Sequence, residues 1–281
     1  MATRRSLITE ASAALAAAGV PSPAYDAEEL LAFVMGIGRQ EIVLVGEVAP
    51  DVTERFWALV ARRVRRQPLQ HLIGTAAFRY VELAVGPGAF VPRPETELLA
   101  GWAVDRAREL ESPVVVDLCT GSGAIARSLA DEVPQARVHA VELSEEAFGW
   151  AARNLADTGV DLRLGDFATA FDDLLGAVDV VVCNPPYVPL EAWESVAPEA
   201  RDHDPHLALF SGDDGLDAIR VLADRGARLL RPGGVIGVEH ADVQGTAAPD
   251  VFARAGHWHE IRDHRDLADR PRYLTARRVA R

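Results

Sequence analysis

The sequence predicts an α/β protein, in which a doubly wound, mainly parallel sheet follows a small helical domain. Up to about residue 66, apolar residues recur at three- and four-residue spacing over 7–18, 24–35 and 52–64, as in amphipathic helices. From Val114 onward, short apolar runs alternate with helical patterns, which indicates parallel strands joined by crossover helices. Polar residues and glycines directly follow several of these runs, where α/β proteins place their ligands.

The elements of the remaining chain follow from local pattern. Residues 70–92 predict a short β segment, and residues 96–110 predict a helix. Strands are predicted at residues 114–117, 136–142, 161–164, 178–183, 235–238, 257–261 and 273–276. The chain is thereby divided into a helical domain, a β linker and an α/β domain, at residues 1–68, 69–94 and 95–281.

Composition narrows the class of protein. The 281 residues are 49% hydrophobic, enough for a large core. The formal net charge of −13 argues against general affinity for nucleic acid. No run approaches the roughly 18 apolar residues of a membrane span, and the two cysteines provide no disulfide framework. The eight histidines show no metal-ligand spacing. We therefore expect a cytoplasmic enzyme without a metal and without a membrane partner.

The one basic run of the chain, Arg62-Arg63-Val64-Arg65-Arg66, closes the third predicted helix. Cations at this end complement the helix dipole. The alternative is contact with an acidic partner protein or with nearby RNA.

The most informative segment is Asn184-Pro185-Pro186-Tyr187, which follows a strand predicted to be buried. A polar side chain at the mouth of such a strand is costly unless something pairs with it, and the prolines fix the backbone and remove two donors. The Asn184 side-chain oxygen and the Pro185 carbonyl can each accept one N–H of a flat group bearing NH2, and Tyr187 can cover its face. The alternative is an ordinary turn, since Asn-Pro is common in turns.

A second motif, Asp117-Leu118-Cys119-Thr120-Gly121-Ser122-Gly123, joins a predicted strand to a helix. Its glycines allow close approach of a ligand to the backbone, but the third glycine of a dinucleotide-binding turn is missing, so a pyrophosphate is not clearly required. Glu142 ends the next strand, where an acid can hold the two hydroxyls of a ribose. Its alternative role is that of an acid at a helix N-terminus.

A third feature is Gly165-Asp166-Phe167, directly after the strand at 161–164. Asp166 can accept a hydrogen bond from an adenine amine and Phe167 can stack on the ring, although an ordinary loop is the favoured explanation when the segment is taken singly. Ligand-type residues at three successive strand ends predict an adenosine-bearing cofactor that needs no strict phosphate grip. S-adenosylmethionine fits this description better than a dinucleotide.

With these motifs, the chain resembles the release factor glutamine methyltransferases, which are class I S-adenosylmethionine-dependent enzymes. The resemblance runs from about residue 5 to the C-terminus and is carried by residues 67–74, 90–97, 117–123, 184–187 and 233–240. The segment Val91-Pro92-Arg93-Pro94-Glu95-Thr96-Glu97 is the most specific, because sister enzymes that modify a ribosomal protein usually carry Ser after the Arg. The resemblance implies a seven-stranded sheet with an antiparallel insertion among its last strands.

The resemblance also implies the reaction. A methyl group passes from S-adenosylmethionine, which becomes S-adenosylhomocysteine, to the Gln of a Gly-Gly-Gln loop in a peptide chain release factor. The helical domain is expected to recognise that partner, and the protein to act as a monomer. The implied catalytic residues are Asn184, Pro185 and Tyr187, with Pro186 and Phe90 completing the acceptor site. The implied cofactor residues are Asp117, Cys119, Thr120, Gly121, Ser122, Gly123, Glu142, Asp166, Phe167 and Asn184.

Three positions depart from the family pattern while keeping its chemistry. Cys119 stands where Gly is more usual, Glu142 where Asp is, and Phe167 where Trp is frequent. We expect these differences to affect affinity more than identity.

Two other functions remain open at this stage. Adenine amino-methyltransferases of DNA or RNA share the Asn-Pro-Pro-Tyr segment, because an adenine NH2 and an amide NH2 are both planar donors, but they would need a basic track and a base-flipping pocket. A cofactor-binding regulatory module would not need the segment at all. Labelled donor with either release factor or nucleic acid would distinguish them.

Cys119 follows the first strand of the α/β domain and Cys183 ends the fourth, and these strands should be neighbours in such a sheet, with the change in winding direction between them. Neighbouring strands lie about 4.8 Å apart, within reach of a disulfide. We therefore hypothesise that oxidation couples or modifies these thiols and blocks cofactor entry, the alternative being that both are inert core residues.

Overall fold

The computed structural model describes residues 2–280, apart from the side chain of residue 195, and the chain divides into two compact units. The first contains the residues up to Thr75 together with Ala197–His203. The second contains Ala76–Val196 and the residues from Asp204 onward. The division after Thr75 lies within the segment expected to be a linker. No helix of the described part is long and apolar enough to cross a membrane.

The first unit is helical, as its apolar spacing predicted. Its helices are α1 Arg4–Ala17, α2 Pro23–Met35, α3 Pro50–Val64, α4 Leu69–Ile73 and α8 Pro198–His203, with the short strands β1 Ala2–Thr3 and β2 Glu47–Val48 paired antiparallel. The three predicted helices are confirmed but begin earlier than expected, because Pro23 and Pro50 occupy first-turn positions and Thr3 caps α1. Leu15, Leu30 and Phe56 are fully buried between them.

The basic run at the end of α3 is used inside this unit, an outcome that neither interpretation of it included. The buried Arg63 guanidinium donates to Asp26 Oδ2 at 2.7 Å and to Glu199 Oε1 at 2.9 Å. Arg66 donates to the two Glu199 oxygens at 2.7 and 2.6 Å. Glu199 belongs to the segment that follows the Asn-Pro-Pro-Tyr motif, so this ion-pair cluster joins that segment to α3.

The expected β linker is only partly a β structure. It begins with the helix α4, and its strands form the hairpin of β3 Thr75–Phe78 and β4 Val81–Ala84. Phe78 on β3 and Leu83 on β4 point into a core and are almost fully buried.

The second unit contains the predicted doubly wound sheet. Within residues 2–280 it has seven strands in the order β10-β11-β9-β8-β5-β6-β7. The strands are β5 Val114–Asp117, β6 Arg137–Glu142, β7 Asp161–Leu164, β8 Val178–Cys183, β9 Leu230–Glu239, β10 Trp258–Arg265 and β11 Pro271–Arg278. The ladders from β9 to β7 are parallel, and β11 is the expected antiparallel insertion. β9 is longer than expected, because a register shift opposite Val178 accommodates Gly233 and Gly234.

Helices cover both faces of this sheet. They are α5 Thr96–Arg108, α6 Ala124–Glu132, α7 Glu145–Leu155, α9 Asp217–Leu229 and α10 Ala247–Ala255. Val115 and Val180 share a core with α5, α6 and α7, whereas Val116 and Val181 share the other core with α9 and α10. The winding direction changes between the neighbouring strands β5 and β8, as predicted for the strands that end near the two cysteines.

Candidate active site

The predicted site residues lie at one edge of the sheet. β8, β5, β6 and β7 are consecutive parallel strands, so the segments that follow them emerge on the same side. Backbone hydrogen bonds connect these segments further: Thr120 N donates to Val141 O at 3.1 Å, and Gly165 N donates to Glu142 O at 2.8 Å. The four motifs that the sequence singled out therefore occupy the position where an open α/β sheet binds its ligand.

The turn after β5 requires its glycines. Gly121 and Gly123 have φ of +58° and +88°, a region that other residues rarely adopt. A Cβ on Gly123 would also lie 3.2 Å from the Leu155 side chain, whereas one on Gly121 would meet nothing within 4 Å. Gly123 thus permits close packing of α6 on α7, and Gly121 leaves open space beside the backbone.

Asp117 is fully buried beneath this turn. Thr120 Oγ1 donates to its Oδ2 at 2.7 Å, while Oδ1 has no hydrogen-bond partner among the described residues. Burial raises the pKa of Asp117 to about 7, although the bond from Thr120 opposes the increase. An acceptor atom that is buried and unpaired is costly unless a ligand satisfies it.

Glu142 holds the turn from the neighbouring strand. Its Oε2 accepts the Gly121 N–H and its Oε1 accepts the Ser144 N–H, each at 2.8 Å. Burial raises the pKa of this carboxyl group. Each carboxylate oxygen has a second lone pair, so Glu142 retains acceptor capacity for ribose hydroxyls while it also caps the following backbone, and the two roles proposed from the sequence are compatible.

The segment after β7 is the most exposed part of the site. The Asp166 side chain is exposed and its Oδ1 accepts the Ala168 N–H at 2.8 Å, which closes a local turn. Phe167 is half-buried and packs against the core that the sheet shares with α9 and α10. The structure therefore places both residues at the predicted edge, with Asp166 partly engaged by its own loop.

The Asn-Pro-Pro-Tyr segment is held by contacts on both sides. Asn184 Nδ2 donates to Thr96 Oγ1 at 3.3 Å. The Tyr187 hydroxyl donates to Glu239 Oε1 at 3.2 Å, and its backbone N–H donates to Leu209 O at 3.1 Å. Burial, followed by the nearby Glu239 charge, raises the pKa of Tyr187, so the phenol stays neutral.

Thr96 and Glu239 were not predicted as site residues. Thr96 begins α5 and Glu239 ends β9, and both are almost fully buried. Burial raises the pKa of Glu239 to about 7, against the opposing effects of a hydrogen bond from Thr96 and of the Arg272 charge. A sequence signal existed for Glu239, because it is an acid directly after an apolar strand, just as Asn184 is an amide after one.

Phe90 lies beside the ion pair of Arg93 and Asp204. The Arg93 guanidinium stacks 4.9 Å from the Phe90 ring centroid and donates to Asp204 Oδ2 at 2.7 Å. The Arg93 charge also acts on the Tyr187 phenol. The hydrogen bond from Asn184 to Thr96 connects the Val-Pro-Arg-Pro-Glu-Thr-Glu segment with the Asn-Pro-Pro-Tyr segment, a proximity that the sequence alone did not reveal.

These groups fit an adenosine-bearing sulfonium cofactor. The unpaired Asp117 oxygen, the Glu142 carboxyl group and the open backbone at Gly121 provide acceptors and space for hydroxyl and amino groups. Within residues 2–280, no cluster of three or more His, Cys, Asp or Glu side chains is placed to hold a metal ion.

Family models match both units. One described as the PrmC N-terminal domain matches residues 6–74, and one described as a methyltransferase domain matches residues 115–203.

Full-length relatives are also similar. The release factor glutamine methyltransferase of Streptomyces coelicolor is 59% identical, over 97% of both chains. The enzyme of the same name from Mycolicibacterium smegmatis is 47% identical over the whole of both chains. Among solved structures, the catalytic domain of human Mettl16 in complex with an RNA hairpin matches with a TM-score of 0.56 and 14% identity, over 71% of this chain and 76% of that one. At this identity the likeness shows the fold alone.

Proposed function

Because this chain belongs to the release factor glutamine methyltransferase family, we propose that it methylates the side-chain amide nitrogen of the Gln in the Gly-Gly-Gln motif of peptide chain release factors. The cofactor is S-adenosylmethionine, which when bound supplies a methyl group on a positively charged sulfur and leaves as S-adenosylhomocysteine. The observation that carries the proposal is the orientation of Asn184, whose NH2 group is turned to Thr96.

That orientation suits an amide acceptor. Since Nδ2 faces Thr96, Oδ1 is on the other branch of the Asn184 side chain and is available to accept an N–H. The Pro185 carbonyl accepts the second N–H of the substrate amide. An amide nitrogen is a poor nucleophile, because its lone pair is delocalised into the carbonyl. Holding both N–H groups aims the nitrogen and stabilises the positive charge that develops on it.

Aromatic rings complete the acceptor site in this proposal. The Tyr187 ring, fixed at its hydroxyl by Glu239 and at its backbone by Leu209, packs on the plane of the substrate amide. Phe90 forms a second wall, with Arg93 stacked on its ring. Pro186 keeps the backbone rigid between these groups. The proton leaves the nitrogen after methyl transfer, so a strong general base is not required.

The cofactor residues are proposed at the edge formed by β5, β6 and β7. Glu142 holds the ribose hydroxyls, and Asp166 and Phe167 meet the adenine. Asp117 and the turn of Cys119, Thr120, Gly121, Ser122 and Gly123 surround the remaining part of the cofactor, next to Asn184. The Asp117 oxygen without a partner supports this placement.

The partner and domain assignments belong to the same proposal. The helical domain, residues 1–68, recognises the body of the release factor, and the catalytic domain, residues 95–281, acts as part of a monomer without stable nucleic-acid binding. The named relatives give no support to the alternative of adenine methylation. The formal charge of −13 also disfavours it.

The test is methyl transfer from isotopically labelled S-adenosylmethionine to a purified release factor. Mass spectrometry of the Gly-Gly-Gln peptide should show one added methyl group on Gln, and none on a release factor carrying Ala at that position. DNA and RNA are supplied in parallel reactions. Label in nucleic acid, with an unmodified Gly-Gly-Gln peptide, would contradict the proposal.

A further inference from the structure

Behind the Asn-Pro-Pro-Tyr segment lie two buried polar side chains, Thr96 and Glu239, which take no chemical part in the proposed reaction. Asn184 donates to Thr96, and Tyr187 donates to Glu239. The Thr96 side chain lies close enough to the Glu239 carboxyl group to lower its pKa, and Glu239 Oε2 has no other hydrogen-bond partner among the described residues. Thr96 is 4% exposed and Glu239 1% exposed, so these groups are shielded from bulk water. Burying a carboxyl group at the end of a strand is costly, which calls for an explanation.

The donor and acceptor properties of these groups restrict the directions in which hydrogen bonds can run between Asn184, Thr96 and Glu239. An ionised carboxylate only accepts hydrogen bonds, and a hydroxyl donates one and accepts others. When Glu239 is ionised, the Thr96 hydroxyl can donate to its free oxygen, Oε2. Thr96 can then only accept from Asn184, which requires the NH2 branch of the Asn184 amide on this side.

We propose that Thr96 and Glu239 are positioning residues, which hold the Asn184 amide with its oxygen toward the acceptor amide. This inference rests on the proposed function, because it assumes an acceptor NH2 at Asn184. A rotated Asn184 amide would point its own NH2 at the substrate NH2, where neither group can accept. Tyr187, the second donor to Glu239, is held by the same carboxylate.

The charge state of Glu239 controls this arrangement. The groups that face it are Thr96 from α5, Arg272 from β11, Tyr187 from the Asn-Pro-Pro-Tyr segment and the more distant Glu95. Burial raises the pKa of Glu239 to about 7. Above that pH the carboxylate fixes the Thr96 hydroxyl and hence Asn184. Below it, a protonated Glu239 can donate to Thr96, which can then donate to the Asn184 oxygen, so the amide can rotate.

The kinetic test replaces the Thr96 hydroxyl with a group of the same shape. In Thr96→Val we expect kcat to fall about 10- to 100-fold, as when a partner that orients a metal-binding side chain is removed, with S-adenosylmethionine affinity within about threefold. Thr96→Ser should recover most of the loss. Thr275→Val is the matched control, since this threonine is also buried but its hydroxyl contacts His264. Equal kcat in Thr96→Val and the wild type would overturn the inference.

The pH test uses Glu239→Gln, which keeps the shape and cannot ionise. The wild-type kcat should rise with pH through about 7, and the Gln variant should lose this transition. Glu132→Gln, at a buried carboxyl group paired with Arg79, is the control that should keep it. The same pH profile in Glu239→Gln and the wild type would overturn the role of Glu239.

A third measurement needs no acceptor protein. Asn154 and Asn184 are the two asparagines of the chain, so selective 15N labelling gives two side-chain NH2 signals. The Asn184 signal should move with pH near 7 in the wild type but not in Glu239→Gln. Asn154, bonded to backbone atoms of Ala84 and Ser122, serves as the internal reference. An Asn184 signal independent of pH would refute the inference even if no release factor were methylated, whereas failure of the wild type on release factor would refute only the proposed function.

Discussion

Replacing Asn184 with Ala removes the oxygen that is proposed to accept the substrate N–H. We expect kcat to fall by about 10²–10³, because losing one preorganised hydrogen-bonding group at a developing charge costs that much in rate. The affinity for S-adenosylmethionine should stay within a few-fold, since the acids proposed to hold the cofactor follow other strands. The measurements are single-turnover methyl transfer to release factor and calorimetric titration of the cofactor.

The magnitude separates this effect from simple destabilisation. Among the described residues, Asn184 makes one side-chain hydrogen bond, to Thr96, at the long distance of 3.3 Å. Losing a bond between neutral groups costs about 0.5–1.5 kcal/mol of stability, a small part of the roughly 5–15 kcal/mol that keeps a protein folded. The same deletion removes about 3–4 kcal/mol of transition-state stabilisation, since each 1.36 kcal/mol is a factor of ten in rate. The variant should therefore be folded and inactive.

Two comparisons make the result decisive. Asn184→Asp keeps an oxygen acceptor but loses the donor to Thr96 and adds a charge near the buried Glu239, so it should also be slow. Asn154→Ala removes the other asparagine, which supports the turn at Ser122 and should weaken cofactor binding more than kcat. If Asn184→Ala turned over within about fivefold of the wild type, the assignment of the acceptor site would be refuted.

Three further outcomes are expected. Glu142→Ala should weaken S-adenosylmethionine binding by about 1.5–3 kcal/mol, the range for charge-assisted hydrogen bonds, as measured by calorimetry. Arg63→Met should lower the free energy of unfolding of the helical unit by about 3 kcal/mol in urea titrations, because it leaves Glu199 and a second buried carboxylate without this partner. Mild peroxide oxidation should couple or modify Cys119 and Cys183, which are both free thiols here, and lower methyl transfer, with thiols mapped by mass spectrometry.

Each of these three predictions has a control variant or a result that would contradict it. Unchanged cofactor affinity in a folded Glu142→Ala would reduce that residue to an acid at a helix start. Arg55→Met, at an exposed pair with Asp51, should change stability by less than about 0.5 kcal/mol, and a similar effect at Arg63 would contradict the buried-pair argument. Full activity with both thiols free after oxidation would dispose of the redox hypothesis, and Cys119→Ser should resist inactivation.

Local pattern in the sequence predicted the strands and the edge of the sheet that carries the site. The strands at Asp161–Leu164 and Val178–Cys183 have the predicted bounds, since apolar runs between turn residues are determined by nearest neighbours in the chain. The start of β9 was missed, because the bulge at Gly233 and Gly234 follows from pairing with β8 and leaves no periodic signal. The helix starts at Pro23 and Pro50 were predicted one and two residues too late, because the ends of a helix are hard to locate from sequence.

The sequence by itself therefore determined the fold class, the bounds of several strands and the Asn-Pro-Pro-Tyr segment, all of which depend on residues close together in the chain. Tertiary structure alone decided which side chains support them. Asn184 meets Thr96 across 88 positions, and Arg63 meets Glu199 across 136. Such pairs are formed by the packing of whole helices and strands, and each partner alone is an ordinary Thr, Arg or Glu whose environment the local sequence does not specify.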